Sequence, residues 1–156
     1  MSEPQLGQML PDIALTGPDG GAVRAADFLG QTLVLFFYPK DDTPGCTTEN
    51  LDFSALAGDF AACGTALLGI SKDSPARHAK FAAKHALFAP LASDAEAGGL
   101  SDALGIWGEK VNYGRSYLGM VRTTLLVGPD GRIARVWSKV KVKGHAAQVL
   151  EAARAL

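Results

Sequence analysis

The sequence predicts a single α/β domain in which a central mixed sheet carries helices on both faces. Apolar runs bounded by turn residues alternate with stretches of helical periodicity, a pattern typical of a largely parallel sheet. The turn sequence Gly128-Pro-Asp-Gly131 separates the last two apolar runs and predicts an antiparallel hairpin, which makes the sheet mixed. With 47% apolar and 20% charged residues, the 156-residue chain suits one compact core over residues 1–156.

Four apolar runs are predicted to be the strands of this sheet. The first three are apolar nearly throughout, as expected for strands covered on both faces, whereas the fourth alternates and belongs nearer an edge. In chain order the runs are Thr32–Tyr38, Thr65–Ser71, Thr123–Val127 and Arg132–Trp137. The segment Leu6–Phe28 is expected to extend the domain at its N-terminal side.

Helices are expected between these strands, each begun or ended by Pro, Gly, Ser or Asp. The first is the most strongly indicated, because apolar residues recur along one stripe from Phe53 to Ala61 and Gly64 follows as a helix terminator. Residues 105–120 contain four glycines and three aromatic residues without clear periodicity, and are predicted to form a loop near the site. The predicted helices cover residues 44–62, 75–86, 95–104 and 144–155.

Charge and hydropathy narrow the classes of partner. Fifteen basic and sixteen acidic residues nearly cancel, so neither nucleic acid nor an acidic membrane surface is expected as a partner. The longest apolar run, Leu33–Tyr38, is far shorter than the roughly 20 residues of a membrane span. The N-terminus lacks the basic cluster and apolar stretch of a secretory signal, and a cytoplasmic location is therefore expected.

Cys46 is the most informative residue in the chain. It follows the apolar strand and stands in the first turn of the predicted helix, where free backbone N–H groups and the positive end of the helix dipole favour a thiolate. It precedes Phe53 by seven residues, which places the sulfur on the buried stripe and in a recess. A small cysteine that merely fills core space is the plain alternative.

The neighbours of Cys46 suit a small polar substrate. Thr43 offers a short hydroxyl three residues upstream, and Pro39 contributes a rigid apolar wall. Pro44 and Gly45 let the backbone approach closely.

These residues resemble a known family. The pattern Pro39-x-x-x-Thr43-x-x-Cys46 matches the peroxiredoxin active-site motif residue by residue, and the flanking Phe36-Phe-Tyr-Pro-Lys40 and Thr43-Pro-Gly-Cys-Thr47 resemble the Q-type (bacterioferritin comigratory protein) subfamily. The resemblance covers nearly the whole chain, continuing through Leu68–Ser71, Leu104–Lys110 and Val121–Thr124. It implies a thioredoxin-like fold and a cofactor-free, thiol-dependent peroxidase that reduces hydrogen peroxide and organic hydroperoxides.

The resemblance also assigns roles at the site. It makes Arg122 the distant catalytic arginine, whose charge favours the Cys46 thiolate and whose planar fork can also hold Glu49. Arg122, the N–H groups of Gly45 and Cys46, and the Thr43 hydroxyl are expected to donate hydrogen bonds to the two peroxide oxygens. The product is a sulfenic acid on Cys46.

The chain departs from the subfamily in its second cysteine. Where many Q-type relatives carry a resolving cysteine five residues after the first, this chain has Leu51, and the helix over residues 75–86 has no cysteine either. Cys63 lies about 25 Å from Cys46 along a continuous helix, whereas a disulfide needs Cα atoms within roughly 7 Å. Cys63 is therefore expected to pack at a helix end beneath the Thr65 strand rather than to act as the resolving cysteine.

A one-cysteine mechanism with an external thiol follows, with thioredoxin, glutaredoxin or glutathione as the candidate reductant. The resemblance suggests a monomer or a weak homodimer. Two alternatives remain open: a redox sensor or holdase switched by oxidation of Cys46, and a glutathione-dependent monothiol oxidoreductase. Thioredoxin-like dithiol exchange is not supported, because Cys46-Thr-Thr-Glu49 lacks a second cysteine.

The remaining motifs are expected to be structural. His78, His85 and His145 lack zinc-ligand spacing and are interpreted as helix or surface residues, so no metal site is predicted. No glycine-rich phosphate motif follows a strand, which argues against a nucleotide cofactor. The run Lys139, Lys141 and Lys143 is interpreted as a solvated edge. Trp107 and Tyr113 are candidates either for plain packing or for walling the peroxide pocket and lining a docking surface for the reductant.

Overall fold

The computed structural model describes residues 4–95, 98–112 and 114–156. A short 3-10 turn covers Ala25–Phe28. The strands are β1 Leu15–Thr16, β2 Ala22–Val23, β3 Thr32–Phe37, β4 Thr65–Ser71, β5 Leu91–Ser93, β6 Trp107–Asn112, β7 Arg115–Met120, β8 Thr123–Val127 and β9 Ile133–Trp137. The helices are α1 Pro44–Ala55, α2 Ala57–Ala62, α3 Pro75–His85, α4 Leu100–Ala103 and α5 His145–Arg154.

The main sheet has seven strands in the order β2-β1-β5-β4-β3-β8-β9. Strands β3, β4 and β5 are parallel, and β8 and β9 continue the sheet antiparallel to β3. The predicted hairpin between the last two strands is confirmed: the Gly131 N–H donates to the Gly128 carbonyl at 2.9 Å, and Gly131 has a φ of +84°. As its alternating pattern indicated, β9 lies at an edge.

Side-chain alternation along β3 divides the core into two layers. Val34 and Phe36 face a cluster completed by α1, α2, α3 and α5, whereas Leu33, Leu35 and Phe37 face a second cluster. The second cluster is covered by the N-terminal segment, α4 and the β6–β7 ribbon. Helices thus lie on both faces, but the four longest share one face, because two successive right-handed crossovers in the same direction put α1 and α3 on the same side.

The predicted helix over 44–62 is interrupted at Leu56. Its N–H lies within hydrogen-bond distance of three carbonyls of the last turn of α1, and α2 starts immediately afterwards. The apolar stripe is retained, since Phe53 and Phe60 are fully buried, although Ala61 is exposed. Gly64 ends the helical segment with a φ of +72°, as predicted.

Two other predictions were wrong. Within the stretch predicted to be a loop, residues 107–112 and 115–120 form the antiparallel ribbon β6–β7; their glycines break the alternation by which a strand is recognised. Of the helix expected over 95–104, the described residues 95 and 98–104 are helical only at Leu100–Ala103, where the buried Asp94 carboxylate accepts the N–H groups of Leu100 at 3.0 Å and Ser101 at 2.8 Å. The short strand β5 was also missed.

Within the described ranges, no helix has the length and apolar character that crossing a bilayer demands.

Candidate active site

The loop between β3 and α1 carries the predicted site. Thr43 is the N-cap residue of α1 and has an extended backbone, while Pro44 occupies the first helical position, where a missing N–H costs nothing. The turn into this segment places Asp42 in the left-handed region, with a φ of +62°. Cys46 follows as the third helical residue, so its backbone N–H is among those without a partner inside the helix.

Cys46 is recessed, as its position on the buried stripe predicted. Only 1% of the residue is exposed, and it packs in the same cluster as Phe53. The Arg122 Nη2 group donates to the Cys46 Sγ atom at 3.3 Å. A cation is therefore in direct hydrogen-bond contact with the sulfur.

Strand pairing brings Arg122 to the sulfur, although 76 residues separate the two in the chain. The antiparallel register pairs Phe37 with Thr123, so Arg122 lies at the sheet edge where β3 leads into the Cys46 loop. The Val140 N–H donates to the Arg122 carbonyl at 3.0 Å and fixes the backbone there. The side chains of Lys139, Lys141 and Lys143, which flank Val140, are exposed.

The Arg122 guanidinium contacts both Glu49 and the Cys46 sulfur. Arg122 Nη1 donates to Glu49 Oε1 at 2.6 Å, and the second carboxylate oxygen, Oε2, is buried without a hydrogen-bond partner. Burial raises the pKa of Glu49 to about 7, against the opposing effect of the Arg122 charge. Burial also acts to lower the pKa of Arg122, but Glu49 and Cys46 outweigh it and raise that pKa.

Thr43 differs from the expected role of hydrogen-bond donor to the peroxide. Its hydroxyl donates to the Lys40 carbonyl at 2.9 Å and makes no helix-capping bond. With its hydrogen so engaged, the Thr43 oxygen can act towards a further group only as an acceptor. The N–H groups of Gly45 and Cys46 are not capped by Thr43, which leaves them as donors at the helix start.

Gly45 permits the close approach of the arginine. A Cβ atom built at this position would lie 3.3 Å from Arg122 Nη2, closer than an ordinary van der Waals contact. Pro39 is half-buried and directly follows the last buried residue of this stretch, Tyr38. Thr43, Gly45, Cys46, Glu49 and Arg122 thus come together, with Pro39 on the same loop.

Trp107 lies elsewhere. It begins β6 and packs against the cluster on the sheet face opposite Cys46, where the Lys72 ammonium stands 5.4 Å from the centre of its ring. Of the two roles that the sequence left open for Trp107, these contacts fit packing rather than a wall of the peroxide pocket. Tyr113, the other aromatic residue in question, lies outside the described residues.

Cys63 occupies the C-cap of α2, seventeen residues after Cys46. Its Sγ donates to the Phe60 carbonyl at 3.3 Å and lies 3.4 Å from the Thr65 hydroxyl. Helix α1 alone spans about 14 Å beyond Cys46, at 1.5 Å per residue. Both cysteines are free thiols, and Cys63 lies at a helix end beside the Thr65 strand, as expected.

Sequence reasoning missed two buried polar residues of this site. The Asn50 amide donates to the Cys46 carbonyl at 2.9 Å and so braces the first turn of α1. His145 bonds the Thr124 hydroxyl at 2.8 Å, and burial, helped by the Arg122 charge, lowers its pKa to about 4, which keeps it neutral. Spacing alone did not reveal His145, because its helix packs beside the site only in the folded chain.

Within the described ranges, one group has atoms close enough to hold a metal ion: Asp41, Asp73 and His78, whose ligand atoms lie within 4.8 Å of one another. These atoms already have hydrogen-bond partners: the His78 Nδ1 lies 2.6 Å from Asp41, and Asp73 accepts from the Asp41 backbone N–H at 2.7 Å and from the Ser71 hydroxyl at 2.6 Å. The group is a hydrogen-bonded core cluster.

The arrangement suits attack by a sulfur anion on a small electrophile. Arg122 supplies a fixed positive charge, the helix start supplies two N–H donors, and Thr43 supplies an acceptor. No residue here provides a second thiol within bonding reach among those described. A two-electron oxidation of Cys46 is the chemistry that these groups support.

Comparison with known proteins agrees with this chemistry. The model of the AhpC/TSA family matches residues 6–136. Peroxiredoxin Bcp of Bacillus subtilis is 43% identical over 148 residues, which cover 94% of this chain and 93% of the relative. Peroxiredoxin Bcp of Xanthomonas campestris is 45% identical over 143 residues, covering 92% and 88%.

Solved structures give the same result. The bacterioferritin comigratory protein of Xanthomonas campestris, solved as trapped-intermediate and ligand complexes that bear on its alkyl peroxide reduction activity, superimposes with a TM-score of 0.89 at 41% identity. The match covers 99% of this chain and 98% of that one. A PrxQ mutant of Xylella fastidiosa superimposes with a TM-score of 0.91 at 38% identity, covering 99% and 98%.

Proposed function

Since this chain belongs to the AhpC/TSA family, alongside the Bcp peroxiredoxins, it is a thiol-dependent peroxidase, and we propose that Cys46 is the residue that attacks the peroxide. The observation that carries the proposal is the forked contact of Arg122. One arm of the guanidinium lies 3.3 Å from the Cys46 sulfur and the other 2.6 Å from Glu49, so a fixed cation faces the nucleophile.

The reaction transfers two electrons from sulfur to the peroxide. The Cys46 thiolate attacks one peroxide oxygen, an S–O bond forms, and the O–O bond breaks. The departing oxygen leaves as hydroxide or alkoxide and takes up a proton, giving water or an alcohol, while Cys46 becomes a sulfenic acid. Negative charge grows on the departing oxygen, where the Arg122 guanidinium and the helix-start N–H groups stabilise it.

Other residues orient the hydroperoxide. The Thr43 oxygen accepts the hydrogen of the peroxide O–H, because its own hydrogen is held by the Lys40 carbonyl. The Gly45 N–H lies at the helix start and donates to the peroxide. Pro39 walls the pocket. Hydrogen peroxide and organic hydroperoxides share the O–O–H group that these contacts recognise.

We assign a one-cysteine mechanism. The Cys63 thiol is engaged with Phe60 and Thr65, and a full helix separates it from Cys46. An external thiol therefore attacks the Cys46 sulfenic acid; an S–S bond forms and water leaves. A second thiol then reduces the mixed disulfide and restores Cys46.

The reductant, location and assembly belong to the same proposal. Thioredoxin, glutaredoxin or glutathione supplies the electrons. Two free cysteines suit a reducing compartment, which supports the cytoplasm. The likeness to the Q-type peroxiredoxins supports a monomer or a weak homodimer.

Purified Cys46→Ser and Cys63→Ser variants test the assignment. With excess dithiothreitol and hydrogen peroxide, Cys46→Ser loses turnover and Cys63→Ser stays within about twofold of the wild type, because only Cys46 faces Arg122. Retained turnover in Cys46→Ser overturns the assignment. A wild-type protein that stalls after one equivalent of peroxide, despite excess thiol, is a sensor instead.

Nonreducing mass spectrometry after one equivalent of peroxide tests the one-cysteine step. Cys46 should appear as a trapped sulfenic acid or as a mixed disulfide with the added thiol. A dominant bridge between Cys46 and Cys63 would rule out the one-cysteine mechanism.

A further inference from the structure

A buried polar cluster lies behind the Cys46 loop and takes no direct part in the peroxide reaction described above. Its members come from the loop, from the ends of β3 and β4, and from α3. Tyr38 and His78 are fully buried, and Asp41 is only 3% exposed. Buried ionisable groups without a function are costly, so their placement here calls for a physical reason.

Asp41 is the loop residue that enters the cluster. Its carboxylate accepts hydrogen bonds from the Tyr38 hydroxyl at 2.6 Å and from His78 Nδ1 at 2.6 Å. Burial, followed by the negative charge of Asp41, raises the pKa of Tyr38 above its usual range, so the phenol keeps its proton and donates it. Both carboxylate oxygens of Asp41 are thereby held.

Both ring nitrogens of His78 face oxygen atoms. Nδ1 faces the Asp41 carboxylate, and Nε2 faces the Ala92 carbonyl at 3.1 Å and the Ser71 hydroxyl at 3.5 Å. The Ser71 hydrogen is given to Asp73 at 2.6 Å, so Ser71 can only accept from the ring. His78 and Asp41 therefore form a buried, directly hydrogen-bonded pair.

The cluster reaches the catalytic groups through one peptide unit. The N–H of the Lys40–Asp41 peptide donates to the Asp73 carboxylate at 2.7 Å, and the carbonyl of the same peptide accepts the Thr43 hydroxyl at 2.9 Å. A peptide unit is planar and rigid, so holding its N–H fixes the direction of its carbonyl. The orientation of Thr43 thus depends on how firmly Asp41 is anchored.

We propose that His78 is a positioning residue of the peroxidase: its buried hydrogen-bonded pair with Asp41 holds the loop between β3 and α1 in place, and so positions Thr43 and Cys46 for peroxide attack. The inference rests on the proposed function of Cys46. A displacement of about 1 Å in a reacting group can cost about 100-fold in rate, so loss of the Asp41–His78 pair should measurably slow Cys46 oxidation.

Two variants at position 78 and one control test the proposal in the full chain. His78→Leu removes both ring donors, whereas His78→Asn keeps one N–H for Asp41. Leu67→Ala is the matched control, because Leu67 lies in the same core cluster but near the start of β4, away from the loop. All three are compared at a temperature well below their unfolding transitions.

The readouts are the second-order rate constants for Cys46 oxidation by hydrogen peroxide and for its alkylation by iodoacetamide, which does not use the peroxide pocket. His78→Leu should oxidise about 10- to 100-fold more slowly and be alkylated faster, because the loop loosens over a recessed thiol. His78→Asn should recover part of the oxidation rate, and Leu67→Ala should change neither rate more than twofold. Wild-type oxidation in His78→Leu, or an equal loss in Leu67→Ala, overturns the proposal.

Nitrogen-15 NMR of the wild-type protein tests the Asp41–His78 hydrogen bond without a variant. The hydrogen between His78 Nδ1 and Asp41 should exchange slowly with solvent and give a resolved signal, and the absence of that protected signal overturns the pairing. This measurement applies even if His78→Leu fails to fold. Failure of the proposed function shows separately, as peroxide turnover in Cys46→Ser, so the two outcomes are distinguishable.

Discussion

The two cysteines of this chain lie at opposite kinds of helix end. Cys46 is the third residue of α1, where N–H groups point outward, and it accepts a hydrogen bond from Arg122. Cys63 caps the C-terminal end of α2, where carbonyl groups point outward, and it donates to the Phe60 carbonyl. The two sulfurs therefore stand at helix ends of opposite partial charge, and only Cys46 is in hydrogen-bond contact with a cation among the described residues.

The difference shows that burial is a poor guide to cysteine reactivity. Cys46 is the more buried of the two, yet it is the one placed for chemistry. Its recess brings a cation and two helix-start donors to the sulfur, whereas Cys63 meets only a carbonyl and the Thr65 hydroxyl. Because Cys63 resides in the same chain, its oxidation rate is an internal reference for every Cys46 variant.

Removing the Arg122 cation should reduce the difference in oxidation rate between Cys46 and Cys63 more than any other change. Arg122→Ala is expected to slow Cys46 oxidation by about 10²- to 10³-fold, the cost of losing a main stabiliser of the departing oxygen, and to leave Cys63 unchanged. Arg122→Lys keeps the charge but loses the planar guanidinium that holds Glu49, so its rate of Cys46 oxidation should fall between those of the wild type and Arg122→Ala. Stopped-flow oxidation with peptide-resolved mass spectrometry measures both thiols. An unchanged ratio of the two rates contradicts the role of Arg122.

Ionisation of Glu49, which lies beside Cys46 and not beside Cys63, should make the stability of the protein depend on pH. Burial raises the pKa of Glu49 from 4.5 to about 7, so its carboxyl ionises at a lower pH in the unfolded chain than in the folded protein. The free energy of unfolding therefore falls as the pH rises from about 4.5 to about 7. The wild type should lose up to about 3 kcal/mol relative to Glu49→Gln across that range. Urea unfolding at pH 4.5, 6 and 8 measures the difference. A difference that does not vary with pH means that Glu49 is already ionised in the folded protein at pH 4.5.

The smallest expected effect is at Thr43. Thr43→Val removes the pocket acceptor and the bond to the Lys40 carbonyl, and should slow Cys46 oxidation about tenfold, the value of one hydrogen bond. Thr43→Ser is the matched control, because it keeps the hydroxyl, and should remain within about threefold. Equal rates in the Val and Ser variants would show that the hydroxyl takes no part.

Several features of the fold and site were accessible from the sequence because they are local. Strand β4 and helix α3 follow from runs of apolar and helical periodicity, and the Gly128–Gly131 turn predicts its own hairpin. The β6–β7 ribbon was missed because its glycines hide the alternation, and its pairing partner decides the conformation.

At the site, the accessible part was the stretch from Pro39 to Glu49. Arg122 entered only through a family resemblance, because nothing in its immediate neighbours marks it. The pairing of Asp41 with His78 was not predicted: the two residues are 37 positions apart, and no local pattern shows that a histidine on an amphipathic helix is buried against a carboxylate. His145 was missed for the same reason.

By itself, the chain determined that a thiol stands in the first turn of a helix, behind a proline and a short hydroxyl, because helix starts depend on a few adjacent residues. Only the tertiary structure decided which charges meet that thiol. Arg122 reaches Cys46 through the register of β8 on β3, and the raised pKa of Glu49 comes from its burial in the folded protein. Such effects depend on where the folded backbone carries each side chain, which no local pattern records.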